Sequence, residues 1–268
     1  MAEEPTLKRI AQGREAEIFA WEDGSVLRLL RQAGAPGRLE REAAAMEAVR
    51  LAGLPVPRVL GLTEQLGRPG MIMERVDGPD LLMVFSRKPW TLWSGSRVCG
   101  ELHARVNAIE APETLPALGD EVRRKIMSSV PSELARTPLM LLDELPGGDR
   151  ICHGDYHPGN VLMTAAGPMI IDWPNAARGN PDADFARTVL LGRLGEPPPG
   201  ASFIVREGTR FFRGIFRRAY LKAYTKVRPV DGESLRRWQI VRAADRIAEG
   251  VESERPALEA ILRAAADE

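Results

Sequence analysis

Short apolar runs set off by turn residues dominate the start of this chain, and longer helical periodicities take over after Asp80. Residues 6–30 read as strands separated by turns. Ile18-Phe19-Ala20-Trp21 and Ser25–Leu30 flank Glu22-Asp23-Gly24, a hairpin turn with glycine in its expected place. The Ala-rich stretch Leu39–Leu51 predicts a helix with Glu and Arg at helical spacings; Gly53 stops it, and Pro55 and Pro57 follow. Met71-Ile72-Met73 predicts a short buried strand, and Glu74–Pro79 a connector. Together these make a small α+β lobe of about eighty residues, within the usual size of a domain.

The second lobe is predicted to be mostly helical. Residues 94–109 place Val98, Leu102, Val106 and Ile109 on one face; His103 in this helix reads as a packing or capping residue. Glu121–Leu145 predicts one or two helices broken at Pro131 and Pro138. The stretch 194–201 predicts a surface loop. Phe211–Tyr224 and Ser234–Glu252 predict amphipathic helices, the latter with a core stripe of Trp238, Val241, Ala244 and Ile247. Between the lobes' main helices lies another hairpin. Val161-Leu162-Met163 and Met169-Ile170-Ile171 are strand-like, joined by the turn Thr164–Pro168.

Composition narrows the functional classes. Basic and acidic residues balance at 37 each, which argues against nucleic-acid or membrane partners. Cys99 and Cys152 do not make a disulfide framework in a chain of this size. The polar N-terminus carries no signal-peptide core, and no apolar run reaches membrane-spanning length. A cytoplasmic protein, monomeric or homodimeric, is expected.

The candidate chemistry lies in Cys152–Asp172, CHGDYHPGNVLMTAAGPMIID. Folding the hairpin antiparallel brings Asp172, past one strand, beside Asn160, before the other. Two hard oxygen ligands then converge where Mg²⁺ can bridge to phosphates. Asp155, at the neighbouring bend, can orient and deprotonate a hydroxyl. Two other readings stay open on these residues. His153, Asp155 and His157 alternate as transition-metal ligands can, and Asp, Asn, Gly and Pro are ordinary turn residues. Upstream, residues 12–17 read either as a loop over nucleotide phosphates or as a plain turn.

With HGDYHPGN at 153–160, IIDW at 170–173, GNPDADFAR at 179–187, REAAAMEAVRLAGLPVPRVLG at 41–61 and MIMERVDG at 71–78, the chain resembles the aminoglycoside phosphotransferase and choline-kinase-like branch of the protein-kinase-like fold. The resemblance implies a bilobal α+β fold. Residues 1–78 would form a nucleotide-binding lobe with antiparallel sheet, one main helix and a hinge at 74–78; residues 79–268 would form a larger, mostly helical lobe. It implies Asp155 as catalytic base, Asn160 and Asp172 as Mg²⁺ ligands, and ATP or GTP as co-substrate. Met73 would back the adenine pocket, the Glu74 carbonyl and Val76 amide would pair with the adenine edge, and Gly13 would lie in the phosphate loop. His153 and Asp184 would support the catalytic loop. Glu42 would anchor a strand cation that the family has as Lys and this chain has as Arg28. Arginine keeps the charge and a bidentate grip; weakened or lost turnover, or a merely solvated strand charge, are the other readings of Arg28.

The acceptor would rest on C-terminal helices. Asp184, Asp245, Glu249 and Glu252 are candidates for holding an aminosugar, with Asp245 and Glu249 at i and i+4; the plainer reading makes the last pair surface partners of nearby Arg. The expected function is a small-molecule kinase acting on an aminoglycoside-like, amino-sugar or amino-alcohol hydroxyl. A kinase for a housekeeping metabolite and a silent nucleotide-binding module are the alternatives. Asp172 and Asp184 lie too close for a long activation segment, which argues against protein substrates.

Overall fold

The computed structural model describes residues 7–13, 15–32, 37–194 and 203–267, with backbone alone for Asp23 and residues 203–210. Arg14 and, apart from Leu194, the loop expected at 194–201 lie outside the described residues.

The N-terminal half-sheet forms as its alternation predicts and then grows by one strand. β1 (Arg9–Gln12), β2 (Ala16–Ala20), β3 (Ser25–Leu30), β4 (Val59–Gln65) and β5 (Arg68–Glu74) make one antiparallel sheet in the order β1-β2-β3-β5-β4. β4 was not foreseen. Its Gly61, Thr63, Glu64 and Gln65 have no apolar stripe, and pairing to β5 from Val59↔Met73 to Gln65↔Arg68 is what makes it a strand. The helix α1 (Arg38–Leu51) ends as its glycine predicts: Gly53 is left-handed at φ 75°, and Leu54 N donates back to Val49 O at 3.1 Å. Leu39, Ala45, Met46 and Val49 of α1 are buried in a core that continues into the second lobe through Tyr156, Trp173 and Phe185.

Beyond the connector come α2 (Leu81–Arg87), α3 (Leu92–Val106), α4 (Leu118–Ser129) and α5 (Ser132–Glu144). The break expected at Pro138 does not occur. Pro138 is buried inside α5, and contacts of α5 with α4 and with the later helix Gly232–Ala248 offset the roughly 3 kcal/mol that an interior proline costs. Strand β6 (Arg150–Cys152) leads into the candidate loop; β7 (Val161–Thr164) and β8 (Gly167–Ile170) form the hairpin, and β9 (Ala177–Gly179) pairs with β6. Pro168, expected in the turn, sits in β8 opposite Met163. α6 (Pro181–Leu194), α7 (Phe203–Val227), α8 (Gly232–Ala248) and α9 (Arg255–Ala266) complete the chain. The Trp238, Val241, Ala244 and Ile247 stripe is buried as predicted, in a second core with α4, α5 and α9. No helix among the described residues is long and apolar enough to cross a membrane.

Candidate active site

The hairpin is clamped from both lobes. Ile170 N donates to Pro55 O at 2.9 Å, and Met163 N to Pro79 O at 2.8 Å. Gly78 makes the second clamp sterically possible: a Cβ there would lie 2.4 Å from Met163 O. Outside the β7–β8 ladder, Ile171 N donates to Asn160 O at 3.0 Å, so Asn160 and Asp172 leave the same end. Asp172 is exposed and left-handed at φ 66°, a region that Asp tolerates better than most residues. Trp173 is buried and donates from its indole to Ile170 O, which anchors the chain just past that turn.

Buried polar contacts hold the loop that carries Asp155. Asp184 on α6 accepts from the backbone N–H of His153 at 2.7 Å and of Gly154 at 2.9 Å. It also accepts from His103 Nε2 at 2.9 Å and Asn107 Nδ2 at 3.0 Å. Burial opposes ionisation of Asp184, but His103 and the Asn107 hydrogen bond outweigh it and hold the carboxyl well below its ordinary value. Gly154 adopts φ 80°, and a Cβ on it would lie 2.2 Å from Asn175 O, so no other residue fits.

His153 does not point to a metal. Its Nε2–H donates to Ile171 O at 3.0 Å, its Nδ1 accepts from Asp155 N at 3.3 Å, and its ring lies against Trp173. Burial lowers its pKa and keeps it neutral. The transition-metal triple of His153, Asp155 and His157 is therefore excluded: both nitrogens of the first histidine are committed within the loop. His103, read as a packing residue, stacks on Tyr156 with ring centroids 4.1 Å apart and bonds Tyr220 and Asp184.

Around Asp155 the structure adds a residue that sequence reasoning missed. Arg187, on α6 one turn after Asp184, is buried and donates to Asp155 Oδ1 at 2.9 Å and Glu249 Oε1 at 2.6 Å, with Asp245 Oδ2 at 3.5 Å. Burial alone would raise the pKa of Asp155, but His157 and Arg187 hold it well below the carboxylate range. The only signal in the sequence was the i, i+3 spacing from Asp184. Asp245 needs correcting on both readings, and Glu249 as an open acceptor carboxylate. Asp245 is fully buried among Lys125, Arg187 and Arg242, and Glu249 is spent on Arg187 and Arg246. Asp245 is thus neither a surface partner nor a carboxylate open to an acceptor, whereas half-buried Glu249 is paired with Arg as the plainer reading has it, and both act as counter-charges to the buried Arg187.

In the first lobe Arg28 is buried and its Nη1 lies 2.7 Å from Glu42 Oε2, which removes the solvated-charge reading. Burial pushes the Glu42 carboxyl up against the pull of Arg28, and the charge of Asp172 adds to the rise. Met73 pairs with Val26 and Val59 near the end of β5, Glu74 ends the strand opposite Ser25, and half-buried Val76 follows in the connector. Gly13 closes the β1–β2 turn through its N–H to Ala16 O at 2.8 Å.

Asn160 is buried with its amide nitrogen committed to Asp155 O at 2.9 Å, which leaves the amide oxygen as its open donor atom for a ligand. With the exposed Asp172 carboxylate this gives two hard oxygens, a donor set suited to Mg²⁺. Among the described residues no group of three or more His, Cys, Asp or Glu could hold a metal alone, so an ion here would need phosphate and water to fill its shell. Beside Asp155 a cavity of about 780 Å³ opens between α2, α6 and α7.

A sequence profile of the APH phosphotransferase enzyme family matches residues 6–230. No curated protein matches the chain. Among solved structures, it is similar to an aminoglycoside-3'-phosphotransferase of type VIII, at 19% identity and TM-score 0.62, covering 89% of this chain and 93% of that one. It is also similar to a putative fructosamine-3-kinase from Haemophilus somnus 129PT, at 13% identity and TM-score 0.60, covering 97% and 90%. A third likeness is to ADP-bound aminoglycoside phosphotransferase APH(2'')-Ib, at 16% identity and TM-score 0.59, covering 98% and 93%. The fold is the two-lobed α+β, protein-kinase-like fold of these enzymes.

Proposed function

We propose that this chain, which belongs to the APH phosphotransferase enzyme family, transfers the γ-phosphoryl group of ATP or GTP directly to a hydroxyl of a small molecule. One observation carries the reading: the Asp155 carboxylate faces the cavity, while its own backbone carbonyl fixes the Asn160 amide on the hairpin end shared with Asp172. On this reading the base and both metal ligands are tied to one end of the hairpin.

Nucleotide binds between the lobes, with Met73 behind the adenine, the Glu74 carbonyl and Val76 amide at its edge, and Gly13 in the turn over the phosphates. Arg28, oriented by Glu42, grips the phosphates with a planar fork where the family has an ammonium. Asn160 and Asp172 would hold Mg²⁺, which when bound neutralises charge on the phosphates. Asp155 accepts a hydrogen bond from the acceptor hydroxyl, aligns it with the γ-phosphate and takes its proton late. Dependence on a nucleotide pool, with Cys99 and Cys152 as buried free thiols, supports a cytoplasmic setting. The structures it resembles are named for aminoglycoside and fructosamine acceptors, so those names leave the acceptor class open.

The test is nucleoside-diphosphate release from Mg-ATP and Mg-GTP over a panel of hydroxyl acceptors, beside Asp155→Ala. Stimulated release that drops about 10²–10⁴-fold in the variant, with nucleotide binding retained, is the expected result. Near-native turnover in Asp155→Ala would remove Asp155 from the chemistry.

A further inference from the structure

His157 lines the cavity beside Asp155, and the chemistry described so far gives it no task. Its two ring nitrogens are not equivalent. Nδ1 takes the backbone N–H of Gly159 at 3.0 Å and so caps the 3₁₀ turn Pro158–Asn160. A backbone N–H can only donate, so Nδ1 is the acceptor and the neutral ring carries its proton on Nε2. Close packing fixes the ring as well. A Cβ on Gly159 would lie 2.8 Å from His157 Cε1 and 3.3 Å from Leu82 Cδ1, so the imidazole rests against a bare glycine beside α2. Held this way, Nε2 lies 3.7 Å from Asp155 Oδ2, too far for a direct hydrogen bond. Arg187 already donates to the other carboxylate oxygen, Oδ1, at 2.9 Å. Oδ2 is therefore the oxygen open to an incoming hydroxyl, with the His157 N–H across from it.

Resting on the kinase reading of this site, we propose that His157 is a further acceptor-binding residue: its Nε2–H and Asp155 Oδ2 together seat the one hydroxyl that reacts. A hydroxyl oxygen set about 2.8 Å from each partner spans the gap with ordinary hydrogen-bond lengths. Its O–H donates to Asp155 Oδ2, one lone pair accepts from His157 Nε2–H, and the other lone pair is left for phosphorus. In the transfer that free lone pair forms the new P–O bond, and the bond from the γ-phosphorus to the β,γ-bridging oxygen breaks. The hydroxyl proton passes to Asp155. Two partners on one oxygen stop rotation about the acceptor's C–O bond, which a carboxylate contact alone does not, and that alignment is where the rate gain lies. The transition state of phosphoryl transfer is loose, so alignment outweighs the little nucleophilicity that the N–H contact withdraws. The contact is made to the reacting oxygen and to nothing else, so water entering as the acceptor meets the same seat.

Two substitutions separate the two nitrogens. In His157→Asn the amide oxygen stands near the Nδ1 position and still caps Gly159 N–H, but nothing replaces Nε2. In His157→Gln an amide N–H returns near the Nε2 position and the cap is lost. The full chain is assayed for nucleoside-diphosphate release from Mg-ATP and Mg-GTP, with water as the acceptor and then with kanamycin added. Asp155→Ala and the Asp155→Ala/His157→Asn double variant run beside it, and calorimetric binding of Mg-ADP reports whether the nucleotide and metal site is intact. His157→Asn should lose about tenfold in kcat with Mg-ADP affinity unchanged, and His157→Gln should recover most of that loss. The double variant should be no slower than Asp155→Ala beyond about twofold, because the two side chains hold the same oxygen. Parent-like turnover in His157→Asn, beside a strong loss in Asp155→Ala, would overturn the inference and leave the kinase reading intact. Equal turnover losses in both His157 variants with weakened Mg-ADP binding would reduce His157 to a cap and overturn the inference in the same way. Release no faster in the parent protein than in Asp155→Ala would overturn the kinase reading, and the inference with it.

Discussion

His157 and Arg187 both lower the Asp155 carboxyl, and removing Arg187 tests the share that the buried ion pair carries. Its guanidinium lies 2.9 Å from Asp155 Oδ1 and is almost wholly buried, so solvent screens the pair little. An opposite charge at this range depresses a carboxylate by about 1–3 pKa units, each worth about 1.4 kcal/mol. His157 also lowers Asp155 and remains in the variant, so Arg187→Met should raise the acidic limb of the kcat/KM profile by about 1–2 units. The same change strips one counter-charge from Asp245 and Glu249. Lys125 and Arg242 stay with the first and Arg246 with the second, which puts the stability loss near the low end of the range for a broken buried pair, about 3 kcal/mol. Arg187→Lys keeps the charge but cannot span three carboxylates with one ammonium, and should show a smaller shift with better stability. The assay is a pH–rate profile for all three proteins, with urea unfolding in parallel. An acidic limb that stays in place in Arg187→Met, in protein shown to be folded, would refute the claim that this ion pair tunes the base; a rate loss with no pH shift would reduce Arg187 to a packing role.

Three further outcomes follow from the same geometry. Asp172→Ala should raise the Mg²⁺ concentration needed for half-maximal nucleotide binding by tenfold or more, and an unchanged requirement would remove Asp172 from the metal site. Glu42→Ala should raise the nucleotide KM at least tenfold by releasing Arg28, with Glu42→Gln intermediate because an amide oxygen still accepts from the guanidinium; equal KM values in all three would show that the pair is only structural. Asp184 has a folded pKa below its ordinary 3.8, so its ionised form stabilises the fold fully above that value and the contribution is lost as pH falls through the folded pKa. Asp184→Asn should therefore cost about 3 kcal/mol at neutral pH and flatten the acid limb of urea-unfolding stability below pH 3.8, and parallel acid limbs would contradict this.

What the sequence determined is local. The separation of Asn160 from Asp172 is set by two short β runs and a glycine turn, so antiparallel pairing alone brings their ends together. The α1 helix and its Gly53 terminus are likewise short-range facts of propensity and capping, and Arg28 opposite Glu42 was legible through family resemblance. Tertiary structure decided the features made by residues far apart in the chain. Pro138 stays helical because neighbouring helices cover it. β4 exists because β5 pairs with it. Asp245 and Glu249 looked like surface acids until Arg187, some sixty positions earlier, drew them inward as counter-charges. The cavity joins Leu82 and Phe85 to Phe212 and Phe216 across more than a hundred residues. Periodicity reports which face of an element is apolar, but not which other element meets it; the burial of a charge and the lining of a pocket depend on that meeting.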